Sequence, residues 1–171
     1  GYFFMLAAYF THSSYSRKGT SKFIKDRLVR LGIPILFYSF ILSPFISYLV
    51  YYFANEHHIT YFEYLSGYDH WIELGVTWFV AALLLFTLIY VAAKKIFKVS
   101  FKKSLAAPNS CTILLFAGAL GVISFLVRII FPVGWVLEPI GFQLGHFSQY
   151  IALFIVGLLA AKNNWLDGLS D

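Results

Sequence analysis

The sequence has few charged residues for its length. Asp, Glu, Lys and Arg make up 12% of its 171 residues, whereas 60% are hydrophobic and the mean hydropathy is +0.74. A soluble domain of this size needs a charged fraction of roughly a quarter to cover its surface. Disordered chains combine low hydrophobicity with high net charge. The composition therefore excludes both a soluble globular domain and an intrinsically disordered chain.

Cysteine is nearly absent, since Cys111 is the single example. One cysteine excludes an internal disulfide and a cysteine-rich metal site. A group of metal-capable side chains falls in 55–75 without the spacing of a tight metal-binding motif. They are His57, His58, Glu63, Asp69 and His70. We therefore expect a solvated loop there and no bound metal.

The chain also lacks an initiator Met and a signal-peptide pattern. It opens at Gly1 and runs through apolar residues to Phe10, with no basic region ahead of them. A stretch of that length is about half of what crosses a membrane. We therefore expect an internal piece of a longer protein that begins with the end of a truncated span, 1–10.

Long apolar runs are what the sequence has in abundance. A membrane helix needs about 20 mainly apolar residues. Four stretches meet or approach that length: 31–54, 76–93, 111–131 and 140–161. Backbone polar groups in hydrocarbon must be satisfied within helices. The sequence therefore predicts an all-α, polytopic transmembrane helical bundle with four full spans plus the end of a truncated fifth.

Basic residues alternate between the connections. Six Lys or Arg lie in 11–30 and five in 94–110, but none in 55–75 or 132–139. Basic connections stay on the cytoplasmic side of a membrane. We therefore expect 11–30 and 94–110 to be cytoplasmic, and 55–75 and 132–139 to lie outside. Topology thus accounts for the net charge of +5, and the expected partners are membrane lipids and not nucleic acid.

Arg27 and Arg30 are candidate ligand-binding residues. They lie three residues apart, which places them on one side of a helix at the inner membrane boundary. Each guanidinium group can bind phosphate oxygens in bidentate fashion. The pair therefore suits a phosphorylated ligand that arrives from the cytoplasm. On spacing alone, ordinary anchoring by basic residues is the more frequent explanation.

Arg128 is the one full charge well inside a predicted span. Such a charge costs about 2.5–3.5 kcal/mol at the bilayer centre and less near an end. One explanation is that the side chain extends to the nearby outer interface. The other is that Arg128 faces inward, pairs with Glu138 or Glu73 and binds a polar substrate. Three polar residues of the next span approach the same side, which favours a polar cavity: Gln143, His146 and Gln149.

Several segments, in order along the chain, resemble the membrane acyltransferase 3 family. The basic segment KFIKDRLVRLGIP at 22–34 resembles the family's R-x-x-R element that leads through a proline into its third span. The other matching segments are FFMLAAYF at 3–10, TWFV at 77–80 and QLGHFSQYI at 143–151, followed by 154–157 and 164–166. Together they cover nearly the whole chain, which is more specific than any one motif.

The resemblance implies an integral membrane enzyme, in the bacterial cytoplasmic membrane, that transfers an acyl group to hydroxyls of a sugar or glycan. The donor would be an acyl-coenzyme A, such as acetyl-coenzyme A, bound near Arg27 and Arg30, with no metal. We infer that the acceptor side is lined by Arg128, Gln143, Gln149 and Trp78. Trp78 opens an apolar span and is equally well explained as a packing anchor.

The chain departs from the family pattern in two places. The family usually has a Ser-Gly pair where this chain has Ala7-Ala8. The histidine that the family is thought to use lies in a first span that these residues do not include. The catalytic residue is therefore left unassigned, and we expect the fragment to need the missing spans of its parent chain for activity.

Two other functions compete with this one. A transporter or exporter component for a polar or glycan-linked substrate would also place polar residues within spans. It would consume no acyl donor. A purely structural membrane partner is the third hypothesis, and it leaves Arg128 and Gln149 unexplained.

Overall fold

The computed structural model describes residues 1–54, 58–96, 105–138 and 140–165. Within these ranges the chain is helical, and its one β pairing is an isolated bridge between Leu137 and Phe142. The helices are α1 (Tyr2–Lys18), α2 (Thr20–Ala54), α3 (Tyr61–Ser66), α4 (Trp78–Ile96), α5 (Ser110–Ile130) and α6 (Phe147–Asn163). Short 3-10 turns precede α4 and α6, at Gly75–Thr77 and Leu144–His146.

Four helices are long and apolar enough to cross a membrane. With their leading turns they are Thr20–Ala54, Gly75–Ile96, Ser110–Ile130 and Leu144–Asn163, of 35, 22, 21 and 20 residues. At 1.5 Å per residue the three shorter ones are about 30 Å long, which matches the hydrocarbon core of a bilayer. The predicted all-α transmembrane bundle is therefore confirmed.

The first helix is longer than the composition suggested. α1 continues past Phe10 to Lys18 and ends at Gly19, whose φ of 73° is favourable only for glycine. The same glycine precedes the first turn of α2. Polar side chains leave the backbone hydrogen bonds of a helix intact. The change from apolar to polar residues at Thr11 therefore does not end α1.

The last helix begins later than expected. Regular α-helix starts at Phe147, whereas the apolar pattern predicted a span from residue 140. Residues 140–143 instead form a turn, in which Leu137 pairs with Phe142 and Gly141 has a φ of 74°. A bridged backbone with a left-handed residue cannot continue an α-helix.

Two π turns interrupt α2, at Leu28–Gly32 and Tyr38–Leu42. Each is followed within two residues by a proline, Pro34 or Pro44. Proline lacks an N–H group and crowds the carbonyl four residues earlier, which here lies inside the π turn. The wider turn accommodates both effects and keeps the helix continuous.

The closest helix packing joins α1 to α6. A Cβ atom built on Gly157 would lie 2.1 Å from the carbonyl oxygen of Met5 and 2.8 Å from the Cβ of Ala8. Ala8 is completely buried. Small residues let membrane helices approach to backbone contact. The Ala7-Ala8 departure from the family pattern therefore keeps a small side chain at this contact.

The bundle has two chemically different ends. Tyr90, near the end of α4, lies 5.7 Å from the ring of Tyr15 near the end of α1. The beginning of α4 lies at the opposite end, where Trp78 is 5.8 Å from Tyr150 of α6. We call the first the basic end, because Lys18, Arg27, Arg30, Lys94 and Lys95 lie there. We call the other the acidic end, after Glu63, Asp69, Glu73 and Glu138.

Candidate functional site

A buried threonine holds Arg27 at the basic end. Nη2 of Arg27 donates a hydrogen bond of 3.0 Å to Oγ1 of Thr11, and that hydroxyl donates to the carbonyl of Ala7 at 2.7 Å. Thr11 is completely buried, and the guanidinium lies over the ring of Phe23 at 5.3 Å. Both contacts restrict the side chain, so Arg27 is fixed before any ligand binds.

Arg27 and Arg30, which their spacing placed on one side of a helix, line one small pocket. The pocket has a volume of about 40 Å³, and its other walls are Ser14, Lys18, Phe23 and Asp26. At about 10–15 Å³ for each water, this is room for roughly three waters or one phosphate group. Lys18 forms an ion pair with Asp26. That pair compensates the one carboxylate of the pocket, so both arginines remain available to an anion.

Thr11 gives the first testable prediction. Thr11→Val keeps the shape of the side chain but removes the oxygen that accepts from Arg27. We expect the dissociation constant of the pocket for a phosphate-bearing ligand to rise by about tenfold, because a hydrogen bond to a charged group is worth roughly 1.5–3 kcal/mol. Thr11→Ser keeps the hydroxyl and should restore most of the affinity. Isothermal titration of inorganic pyrophosphate into the full-length protein in lipid nanodiscs checks both variants.

A second polar contact lies beside this pocket. Nδ1 of His12 is 3.2 Å from the hydroxyl of Tyr90, and Nζ of Lys94 lies 5.9 Å from the centre of the Tyr90 ring. Sequence reasoning missed this contact. A single tyrosine hydroxyl near the end of an apolar helix was the available signal. Helices α1 and α4 thus contribute polar groups at the same depth as Arg27.

The middle of the bundle is apolar by contrast. A groove of about 530 Å³ lies between α4 and α6, and its walls include Phe86, Ile89, Phe154 and Leu158. Surfaces of this kind are ordinary on helices that face lipid. Most of the described polar contacts therefore lie at the two ends of the bundle, while the buried hydroxyl of Thr87 lies in the middle of α4.

Arg128 bonds to a histidine at the acidic end. Its Nη2 lies 3.1 Å from Nδ1 of His146, while its Nε is buried and has no hydrogen-bond partner among the described residues. The His146 ring is stacked on Tyr150 at 6.3 Å, and Tyr150 in turn contacts Trp78. We call these four residues the acidic-end cluster.

The expected pairing of Arg128 with Glu138 or Glu73 is wrong. The ion pairs found in the described parts of the chain are Lys18 with Asp26 and His70 with Asp69. Gly145 explains why a histidine is the partner instead. A Cβ there would lie 2.7 Å from the carbonyl oxygen of Phe131 and 3.6 Å from Cγ of Arg128. The bare glycine lets its turn pack on Arg128, which brings the next residue to the guanidinium.

The other residues predicted to line the acceptor side make fewer contacts with Arg128. Gln143 is exposed and Gln149 is half-buried, and neither forms a hydrogen bond with Arg128 in the described structure. Trp78 belongs to the acidic-end cluster through its contact with the Tyr150 ring. The binding roles of these residues stay predictions. Sequence reasoning missed Tyr150, and also the 3.1 Å contact between the Ser124 and Ser148 hydroxyls that joins α5 to α6.

In the connection 55–75, Glu63, one of the metal-capable residues, takes part in a helix cap with Thr60. The backbone N–H and the hydroxyl of Thr60 donate to Glu63 at 2.8 and 2.7 Å, which lowers the pKa of that carboxyl. Asp69 contacts His70. Across the ranges that the structure describes, no three His, Cys, Asp or Glu side chains come together as a metal site. His57 lies outside the described residues.

One comparison with known proteins bears on this arrangement. The model of the acyltransferase 3 family, described as an acyltransferase domain, matches residues 1–170. Searches of curated proteins and of solved structures found no match.

Proposed function

This chain belongs to the acyltransferase 3 family, and we propose that it acts in the transfer of an acyl group from an acyl-coenzyme A to a hydroxyl of a sugar or glycan. The match confirms the resemblance seen in the sequence. It supports a membrane acyltransferase in general, in agreement with four helices that are long and apolar enough to span a membrane. The donor and the acceptor are the proposed part.

The pocket shared by Arg27 and Arg30 is the observation that carries the donor assignment. Coenzyme A presents phosphate groups, and two guanidinium groups on one pocket form the bidentate contacts that phosphate accepts. The pocket volume of about 40 Å³ suits one such group. The remainder of the donor would lie outside it, toward the acyl acceptor.

In acyl transfer to a hydroxyl, one bond to the acyl carbon forms, one breaks and a proton moves. The acceptor hydroxyl oxygen bonds to the thioester carbonyl carbon, the carbon–sulfur bond breaks, and a base takes the hydroxyl proton while the thiolate regains one. We assign no residue of this chain as that base. Our proposal gives Arg27 and Arg30 the binding of the donor, and Arg128, Gln143, Gln149 and Trp78 the binding of the acceptor.

The charge distribution supports one orientation. The basic end carries the connections 11–30 and 94–110, and basic connections remain cytoplasmic. Residues 97–104 of the second lie outside the described ranges. We propose that the donor pocket opens toward the cytoplasm of a bacterial cell and that the acidic-end cluster faces outward. The acyl group would then cross the bundle between them.

Radiolabelled acetyl-coenzyme A, supplied to membranes that contain the full-length protein and glycan, tests this proposal. Label on sugar hydroxyls is the expected result, and membranes without the protein are the control. If a panel of acyl donors transfers no label, the acyltransferase assignment of donor and acceptor is wrong. Glycan movement across the membrane without donor consumption would instead establish the transporter alternative.

A further inference from the structure

We propose that the acidic-end cluster binds an anionic group, a carboxylate or a phosphate, on the acyl acceptor, with the sugar ring against the aromatic side chains. The acceptor would thus be an acidic or phosphorylated sugar. This inference rests on the proposed function, since it names the acceptor class of the same enzyme. It depends on the charge, the hydrogen-bond donors and the rings of the cluster.

The charge of Arg128 has no counter-charge among the described residues. Its guanidinium cannot lose its proton in a protein, and Arg128 is half-buried at the end of an apolar helix. The Nε atom of its guanidinium is nevertheless buried without a hydrogen-bond partner among the described residues. Charged groups removed from water are normally paired, because desolvation without a partner is costly. Its described partner, His146, carries no negative charge. A ligand anion would supply the missing charge.

The contact with Arg128 also determines what His146 offers to a ligand. A guanidinium group only donates hydrogen bonds, so Nδ1 of His146 accepts this one. With Nδ1 as the acceptor, the ring N–H group lies at Nε2, which forms no hydrogen bond with a described residue. Arg128 and His146 therefore both have donors left, and neither offers a strong acceptor. Such a pair favours an anion over a neutral hydroxyl.

Two rings extend the cluster beyond the charged group. The rings of Tyr150 and Trp78 lie 5.8 Å apart and are inclined by 31°, and both residues are half-buried. The two rings contribute apolar faces, and His146, which bonds to Arg128, is stacked on the Tyr150 ring. Small-molecule sites commonly combine aromatic walls with a few converging polar groups. A sugar ring with one anionic substituent has the matching arrangement.

Binding to the full-length protein in lipid nanodiscs tests this inference without any acyl transfer. Isothermal titration compares 4-nitrophenyl β-glucuronide with 4-nitrophenyl β-glucoside, which differ only at C6, a carboxylate in the first and a hydroxymethyl group in the second. We expect the glucuronide to bind at least about tenfold more tightly, as charge-assisted hydrogen bonds allow. Glucose 6-phosphate is compared with glucose in the same way and distinguishes a phosphate from a carboxylate preference. Equal affinities within both pairs would overturn the inference.

Variants connect the preference to the cluster. Arg128→Gln should abolish the difference between anionic and neutral probes, and Arg17→Gln, an exposed cation at the basic end, should leave it unchanged. A preference that survives Arg128→Gln would contradict the inference. Added salt gives a readout that needs no variant: it should weaken anion binding to the unaltered protein and spare the neutral probes. Since binding is measured, a failure of acyl transfer would be seen separately.

Discussion

The double substitution Arg27→Ala and Arg30→Ala is expected to reduce kcat/KM for the acyl donor by at least about 100-fold. Hydrogen bonds to charged groups contribute roughly 1.5–3 kcal/mol each, and each 1.4 kcal/mol is tenfold. Both side chains line the same small pocket, so the double variant removes its two principal donors to phosphate. Initial rates with labelled acyl-coenzyme A, measured in membranes at varied donor concentration, give the value.

The matched control replaces two other basic residues of the same connection. Arg17→Ala and Lys22→Ala remove two exposed charges outside the pocket. This control loses as much positive charge as the test variant, so it shows whether net charge or topology accounts for the effect. Nearly unchanged donor kinetics are expected for it. If both double variants lose activity equally, the pocket does not bind the donor.

Gly157→Ala is expected to destabilise the protein by about 1–3 kcal/mol, the usual cost of overpacking a close-packed site. The new methyl group would stand 2.1 Å from the carbonyl oxygen of Met5 and 2.8 Å from the Cβ of Ala8. Neither a backbone oxygen nor an alanine can turn aside, so α1 and α6 must separate. Thermal unfolding of the purified full-length protein in detergent, followed by circular dichroism, measures the loss.

Gly121→Ala is the control for this prediction. Gly121 lies within α5, and a Cβ there would meet no atom within 4 Å. Alanine has the higher helix propensity, so this variant should have unchanged or slightly increased thermal stability. The two variants make the same chemical change within a membrane helix. Equal shifts in melting temperature would show that the contact of Gly157 with Met5 is not tight in the protein.

The spans were predictable because apolar length is read directly along the chain. The pattern predicted 76–93 and 111–131, and the structure has α4 at Trp78–Ile96 and α5 at Ser110–Ile130. The ends of α1 and α6 were less predictable. Positive φ angles at Gly19 and Gly141 decide them, and composition does not distinguish a glycine that ends a helix from one such as Gly121 within it.

The sequence indicated which charged residues form the candidate site, but it did not indicate their hydrogen-bond partners. Spacing and family resemblance indicated Arg27 and Arg30, and the structure places both at one pocket. The sequence held no sign that Thr11 holds Arg27, because the two residues lie on different helices. For Arg128, opposite charge suggested a glutamate, but the hydrogen-bond partner in the structure is His146.

Residue type and order were thus enough to establish a membrane bundle, its two electrically different ends and its relation to acyltransferases. Apolar length, the charge of a connection and a family motif are each properties of a short segment of the chain. They therefore do not depend on how the helices pack. Which donors and rings meet depends on interhelical distance, and small residues control that distance. Gly157 brings α6 against α1, and Gly145 brings His146 to Arg128. Both contacts join residues far apart in the chain, so packing in three dimensions had to decide them.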